Sequence, residues 1–207
     1  ESDSITVKDW YASYDNRIEN LEFADGTVWN VGELHSKGLE VNGTEGADNL
    51  SGVANNLNWL HGHGGDDVLS GSNSQDFLYG GAGDDVLSGG GGVDELYGGA
   101  GNDTLTDASI NNILDGGAGD DVLSTQGATV DHSQLGSIFI GGTGNDTITG
   151  HRWVDDTYHF NLGDGQDVLT DKGYSYRTDL RSRNDKIVLG DGITEADILV
   201  TRDGMDL

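Results

Sequence analysis

The chain has 207 residues, and acids outnumber bases 37 to 10 for a formal net charge of −27, with only 34% of residues apolar. Such a chain cannot bury enough apolar surface to offset conformational entropy and its own repulsion, so its stability has to come from outside. No cysteine is present, which excludes disulfides and thiolate metal sites, and no apolar run nears the roughly 18 residues of a bilayer span. The acidity disfavours nucleic acid and anionic membranes and invites cations.

From the N-terminus to about residue 40 the composition is ordinary, and SITVKDW and IENLEFADGTVWN alternate as strands do. Asp25-Gly26 between Phe23 and Val28 is a hairpin signal, and VGELHSKG reads as a short helix or turn. Trp10, Tyr11, Phe23 and Trp29 read as a small aromatic core rather than a ligand site. The start at Glu1 shows no basic and apolar secretory signal.

From Val41 to about Thr170 a period of nine takes over: GHGGDDVLS (62–70), GSNSQDFLY (71–79), GGAGDDVLS (80–88), GGGGVDELY (89–97), GGAGNDTLT (98–106), DASINNILD (107–115), GGAGDDVLS (116–124). GTEGADNLS and VANNLNWLH precede them as weaker copies. Residues 125–140 break the rhythm and read as one enlarged turn ending in the strand SIFI, after which GGTGNDTIT, HRWVDDTYH and LGDGQDVLT resume it with small slips. The last part, 171–207, contains a strand, a turn and a helix-like TEADIL, and reads as a cap.

With a block numbered G1 G2 x3 G4 x5 D6 x7 U8 x9, the glycines let the backbone enter positive φ and turn its carbonyls inward. The aspartate at position 6 adds a carboxylate where the turn ends. Carbonyls and carboxylates are the hard oxygen ligands that calcium takes in numbers of six to eight. Positions 7 to 9 form a short strand with U8 facing inward, so Leu69, Leu78, Leu87, Leu96, Leu105, Leu114 and Leu123 line one interior. Two blocks make one coil of 18 residues, and alternate blocks stack to give two parallel sheets around the leucine column.

These blocks resemble the nonapeptide repeats of the RTX (repeats-in-toxin, haemolysin-type calcium-binding) family, strongly over 62–170 and weakly over 43–61. The resemblance implies an all-β fold, a parallel β-roll or two-sheet right-handed solenoid, with several calcium ions between stacked turns. SITVKDWYASYDNRIENLEFADGTVWN is similar to the haemolysin-type calcium-binding-related unit, and VTRDGMDL to the opening of another such unit, as in a piece of a tandem array. The expected organisation is a small antiparallel β unit over 1–40, the β-roll over 41–170, and the cap with the start of a next unit over 171–207.

Alternate-block stacking sorts the turns into two columns. The first, with its glycines nearly intact, offers Gly62, Gly64, Gly65 and Asp67, then Gly80, Gly81, Ala82, Gly83 and Asp85. It continues through Gly98, Gly99, Ala100, Gly101 and Asp103, then Gly116, Gly117, Ala118, Gly119 and Asp121. Gly141, Gly142, Thr143, Gly144 and Asp146 follow, and Asp167 closes it. The second column, through Asn58, Asp76, Asp94, Asn112 and Asp156, lacks glycines or the acid at most steps, and its best candidate lies at Asp76 to Asp94 with Gly89 and Gly91. One ion between each adjacent pair of intact turns gives about four or five in the first column and few in the second. His63 replaces the second glycine of its turn and weakens the case for the Asp67–Asp85 site, while Asp48, Asp171, Asp179 and Asp185 could equally be ligands or surface acids.

A solvated acidic surface is the plain alternative for these aspartates, but their fixed spacing to glycines and to an interior residue argues against it. His61, His63, His132, His151 and His159 are scattered and do not suggest zinc, which needs three or four converging ligands. Asp84-Asp85 and its copies are not a catalytic pair, because an active site is not repeated at every turn, and no nucleophile-elbow, P-loop or zinc-protease motif is present. Trp59, Trp153, Tyr158 and Arg152 are a candidate sugar-stacking patch, with coil-end packing as the plainer role.

The expected function is a non-enzymatic calcium-binding module of a large secreted or surface protein, adhesin- or toxin-like. It folds on extracellular calcium, which aids type I secretion and rigidifies the chain. The export route comes from the resemblance. Its partners are calcium and neighbouring repeats of the same polypeptide, with a glycan or surface ligand as a further candidate. An accessory module of a secreted hydrolase or polysaccharide-modifying enzyme, or a recognition module using 125–140 and the aromatics, is the alternative.

Overall fold

The computed structural model describes residues 20–22, 28–30, 39–126, 135–151, 154–171 and 185–194. The helix-like readings of VGELHSKG and TEADIL, and the VTRDGMDL unit, lie outside these residues. Near the N-terminus β1 (Asn20–Glu22) pairs antiparallel with β2 (Val28–Asn30), in the register Leu21 to Trp29, and the Asp25-Gly26 hairpin signal itself lies outside the described residues.

The rest is a two-sheet solenoid without helix among the described residues. One sheet has eight strands: β3 (Leu39–Asn42), β5 (Asn58–Gly64), β7 (Asp76–Ala82), β9 (Glu95–Ala100), β11 (Ile113–Ala118), β13 (Leu135–Thr143), β15 (Asp155–Phe160) and β17 (Lys186–Leu189). The facing sheet has seven: β4 (Asn49–Ser51), β6 (Val68–Ser72), β8 (Val86–Gly90), β10 (Thr104–Asp107), β12 (Val122–Thr125), β14 (Thr147–Gly150) and β16 (Val168–Asp171). Consecutive strands alternate between the sheets and every neighbour within a sheet is parallel, so each coil uses two nonapeptides.

The register follows the inward-facing residue of each block. Leu69, Leu87, Leu105 and Leu123 stack as one row, and Leu60, Leu78, Leu96 and Leu114 as the row opposite, all fully buried. Ile148 extends the first row, while Phe139 and Tyr158 extend the second with their rings stacked 5.3 Å apart. Branched, apolar side chains on a period of two are what a strand with one buried face selects.

Main-chain N–H to side-chain bonds between equivalent turns span 18 residues from Asp103 to Asp121 but 25 from Asp121 to Asp146 and from Asn112 to Ser137. The difference of seven residues is absorbed between Thr125, where β12 ends, and Leu135, where β13 begins. Parallel stacking resumes beyond this insertion, with a register shift between Leu135 and Ile138 where β13 pairs with β15.

Candidate metal centre

Each intact turn needs its glycines for a contact as well as for a torsion. Gly99 and Gly101 have φ of 119° and 135°, a region L side chains rarely occupy. A β-carbon on Gly99 would run into the carbonyl of Gly81, and one on Gly101 into that of Gly83, because the carbonyls of each turn aim at the next turn along the column. His63, which stands where the other turns have the second glycine, adopts the same left-handed backbone with φ 77°, and its carbonyl faces Gly81 in the same way.

The aspartates at position 6 form a ladder along the first column. Asp48, Asp67, Asp85, Asp103, Asp121 and Asp146 each donate their main-chain N–H to Oδ1 of the next aspartate, ending at Asp167, over 2.7–3.0 Å. Only one oxygen of each carboxylate is used. Oδ2 of Asp67, Asp85, Asp103, Asp121 and Asp146 is buried with no hydrogen-bond partner, and each of these residues is only 1% exposed. At Asp48, above this run, Oδ2 accepts from Thr44 N–H at 2.6 Å and from Thr44 Oγ1 at 2.8 Å.

These unpartnered oxygens share a cradle with main-chain carbonyls. A β-carbon on Gly80 would strike Asp85 Oδ2 and lie 2.6 Å from the Gly98 carbonyl, and Gly62, Gly98 and Gly116 stand in the same relation to Asp67, Asp103 and Asp121. Gly141 closes on Asp146 Oδ2 likewise. A buried carboxylate oxygen without a donor is costly. Set among inward-turned carbonyls, it is a hard-oxygen donor set that fits calcium. Among the described residues no three acidic or histidine side chains converge, so any such site draws chiefly on main chain.

Electrostatics point the same way. Burial pushes Asp103 up to about 6 and Asp121 to about 7; the main-chain N–H of the preceding aspartate, Asp85 and Asp103 respectively, opposes the shift, and the charge of that same aspartate adds to it. Burial raises Asp85 and Asp146 as well. A column of carboxylates held this way gains from a cation that offsets their charge.

The second column has the same ladder but spends its oxygens internally. Asn58, Asp76, Asp94, Asn112, Ser137 and Asp156 donate in turn to the next side chain, ending at Asp185 Oδ1. Asp76 Oδ2 accepts from Ser72 N–H at 2.5 Å, and Asp156 Oδ2 accepts from His151 N–H at 2.7 Å beside the Tyr158 hydroxyl. Burial raises Asp156 to about 6. Gly89 sits in this column against Asp94, while Gly91 lies beside Asn73 of the preceding turn. Asp94 Oδ2 alone among the position-6 carboxylates of this column is buried without a partner.

Three features escaped the sequence reading. Ser137 is a rung of the second column, and its signal was the polar residue two before Phe139 in SIFI, hidden by the insertion. Position 5 forms a second, exposed ladder: the N–H of Asp84, Asn102, Asp120, Asn145 and Gln166 each bond the Oδ1 of Asp66, Asp84, Asn102, Asp120 and Asn145 respectively, over 2.7–3.1 Å. The presence of a side-chain carbonyl or carboxyl at x5 of every intact turn was the signal. Third, Asp107, at position 1 of its block where intact turns have glycine, is 2% exposed with an unpartnered Oδ2.

Two of the four candidate sugar-stacking residues, Trp59 and Tyr158, lie among the described residues. Tyr158 is 1% exposed and belongs to the core, since position 8 of its block faces inward. Trp59 stacks on Phe77 at 5.6 Å, and Arg152 and Trp153 lie outside the described residues. His61 stacks on Tyr79 and His63 bonds Asn42, while His132 is outside the described residues. Of the cap acids, Asp185 joins the second column and Asp179 is outside the described residues.

A parallel solenoid whose turns carry one buried acid amid glycine carbonyls defines a repeat protein built around cations. Residues 42–77, 54–87, 70–105, 109–127 and 137–152 match the RTX calcium-binding nonapeptide repeat, and residues 1–32 match the haemolysin-type calcium-binding protein related domain. The chain belongs to the RTX nonapeptide-repeat family, with the related domain at its N-terminus. Its repeats bind Ca2+, several ions per array. Repeats of this family occur in secreted proteins as a structural, typically non-catalytic module. No curated protein and no solved structure matches the chain.

Proposed function

We propose that the first column is the principal calcium store of this module, with ions held between successive turns from Asp67 to Asp167. Asp67, Asp85, Asp103, Asp121 and Asp146 supply the carboxylates, and the glycine carbonyls of adjoining turns supply the remaining oxygens. The observation that carries this reading is the run of buried, unpartnered Oδ2 atoms along the first column, from Asp67 to Asp146. The second column contributes little, because Asp76 and Asp156 already use both oxygens.

The ions are the outside source of stability that the composition demands. Metal that binds only the folded chain stabilises it by mass action, and extracellular calcium modules have dissociation constants of about 10⁻⁴ to 10⁻³ M, far above cytosolic calcium. The module is thus extended before export and folds outside the cell, rigidifying a large secreted or surface protein of adhesin or toxin type. It carries no catalysis of its own. Circular dichroism tests this: a disordered spectrum in chelator that turns to β-structure on adding millimolar calcium is expected, and an unchanged folded spectrum in chelator refutes it.

A further inference from the structure

We propose that the second column holds one divalent-cation site of its own, in which the Asp107 carboxylate replaces a glycine carbonyl and faces Asp94 across Gly89. The neighbouring turn shows the ordinary arrangement: a β-carbon on Gly71 would meet the Gly89 carbonyl and, at 2.7 Å, Asp76 Oδ2. One turn on, a β-carbon on Gly89 would meet Asp107 Oδ2 in place of a carbonyl, and Asp94 Oδ2 at 2.8 Å. Asp107 stands at the block's first position, so its side chain enters the cradle that a main-chain oxygen lines elsewhere.

Both carboxylates are fixed by their other oxygen. Asp94 Oδ1 accepts from Asp76 N–H at 2.8 Å, and Asp107 Oδ1 accepts from Ser109 N–H and Ser109 Oγ, each at 2.7 Å. Their Oδ2 atoms are left facing each other, buried and without donors, in residues 0% and 2% exposed. On the adjoining strand Thr125, the register partner of Asp107, buries an unpartnered hydroxyl oxygen. Two buried carboxylate oxygens aimed at one point have to share a proton or hold a cation between them. The turn DASINN, which lacks the repeat glycines, is therefore a variant site with a doubled carboxylate.

This inference rests on the reading that the folded repeats bind calcium, and counting bound ions separates the two. Equilibrium dialysis against calcium should give one ion fewer per chain for Asp107→Asn and for Asp107→Ala than for the parent, with the calcium-induced β spectrum retained. Full stoichiometry in both variants overturns the inference and leaves the first column untouched, the pair then sharing a proton; no uptake by the parent overturns both. If the variants fail to fold, terbium soaked into crystals of the parent chain decides by anomalous scattering. A peak between Asp94 and Asp107 supports the site, and peaks confined to the first column overturn it.

Discussion

Asp103 donates its main-chain N–H to Asp121 Oδ1 at 2.7 Å, while Asp121 Oδ2 is buried with no partner. One carboxylate thus performs two tasks: one oxygen fixes the spacing of two turns and the other waits on a positive charge. Substitutions at Asp121 separate them. Asp121→Asn keeps an acceptor for Asp103 N–H and loses only the charge, whereas Asp121→Ala also strands that N–H, adding about 1–3 kcal/mol. Thermal melts in saturating calcium should rank parent above Asn above Ala; equal melting of the two variants would show that the ladder bond is idle.

Filling a cradle differs from straining a turn. Gly80 is not in the left-handed region, so Gly80→Ala adds a methyl against Asp85 Oδ2 and the Gly98 carbonyl without backbone strain. Overpacking of this kind costs about 1–3 kcal/mol. It should also remove one calcium from the titrated stoichiometry. Gly99→Ala carries the strain of φ 119° in addition and should melt lower.

Acid should partly replace calcium. Asp103 and Asp121 titrate at about 6 and 7 in the folded chain, against about 3.9 for an ordinary aspartate. Their folded values are raised, so the fold holds protons that the unfolded chain has released. This stabilisation is complete below about pH 4 and is lost as pH rises through 6 to 7. In chelator, β-structure should therefore increase as pH is lowered from 8 to 5, and the apparent calcium affinity should fall over the same range. A chelated chain that loses β-structure on acidification to pH 5 would contradict the assignment of burial as the cause.

The leucine rows are thin, so each rung counts. Leu105 is fully buried between Leu87 and Leu123. Leu105→Ala should cost about 2–5 kcal/mol. Because folding and calcium uptake are linked, the loss should appear as a higher calcium concentration at the folding midpoint. An unchanged midpoint would mean that the core does not limit folding.

The coil was legible because a strict nonapeptide leaves little freedom: a leucine every ninth residue fixes both the strand faces and the 18-residue register. The two columns followed from the same count, as did the poverty of glycine in the second. What stayed hidden depended on side chains doing another residue's task. Ser137 takes an aspartate's place in the ladder, Asp107 takes a carbonyl's place in the cradle, and the Ser72 N–H occupies the Asp76 oxygen that spacing alone offers to a metal. Tyr158, eighth in HRWVDDTYH, is buried in the core as that position predicts.

The most direct test is hydrogen exchange at the main-chain amides of Asp85, Asp103 and Asp121, each bonded to the carboxylate of the next turn. At pH 7 these amides should be strongly protected in calcium and exchange at unfolded-chain rates in chelator. Protection that persists in chelator would contradict the account, because the ladder would then stand without the ions.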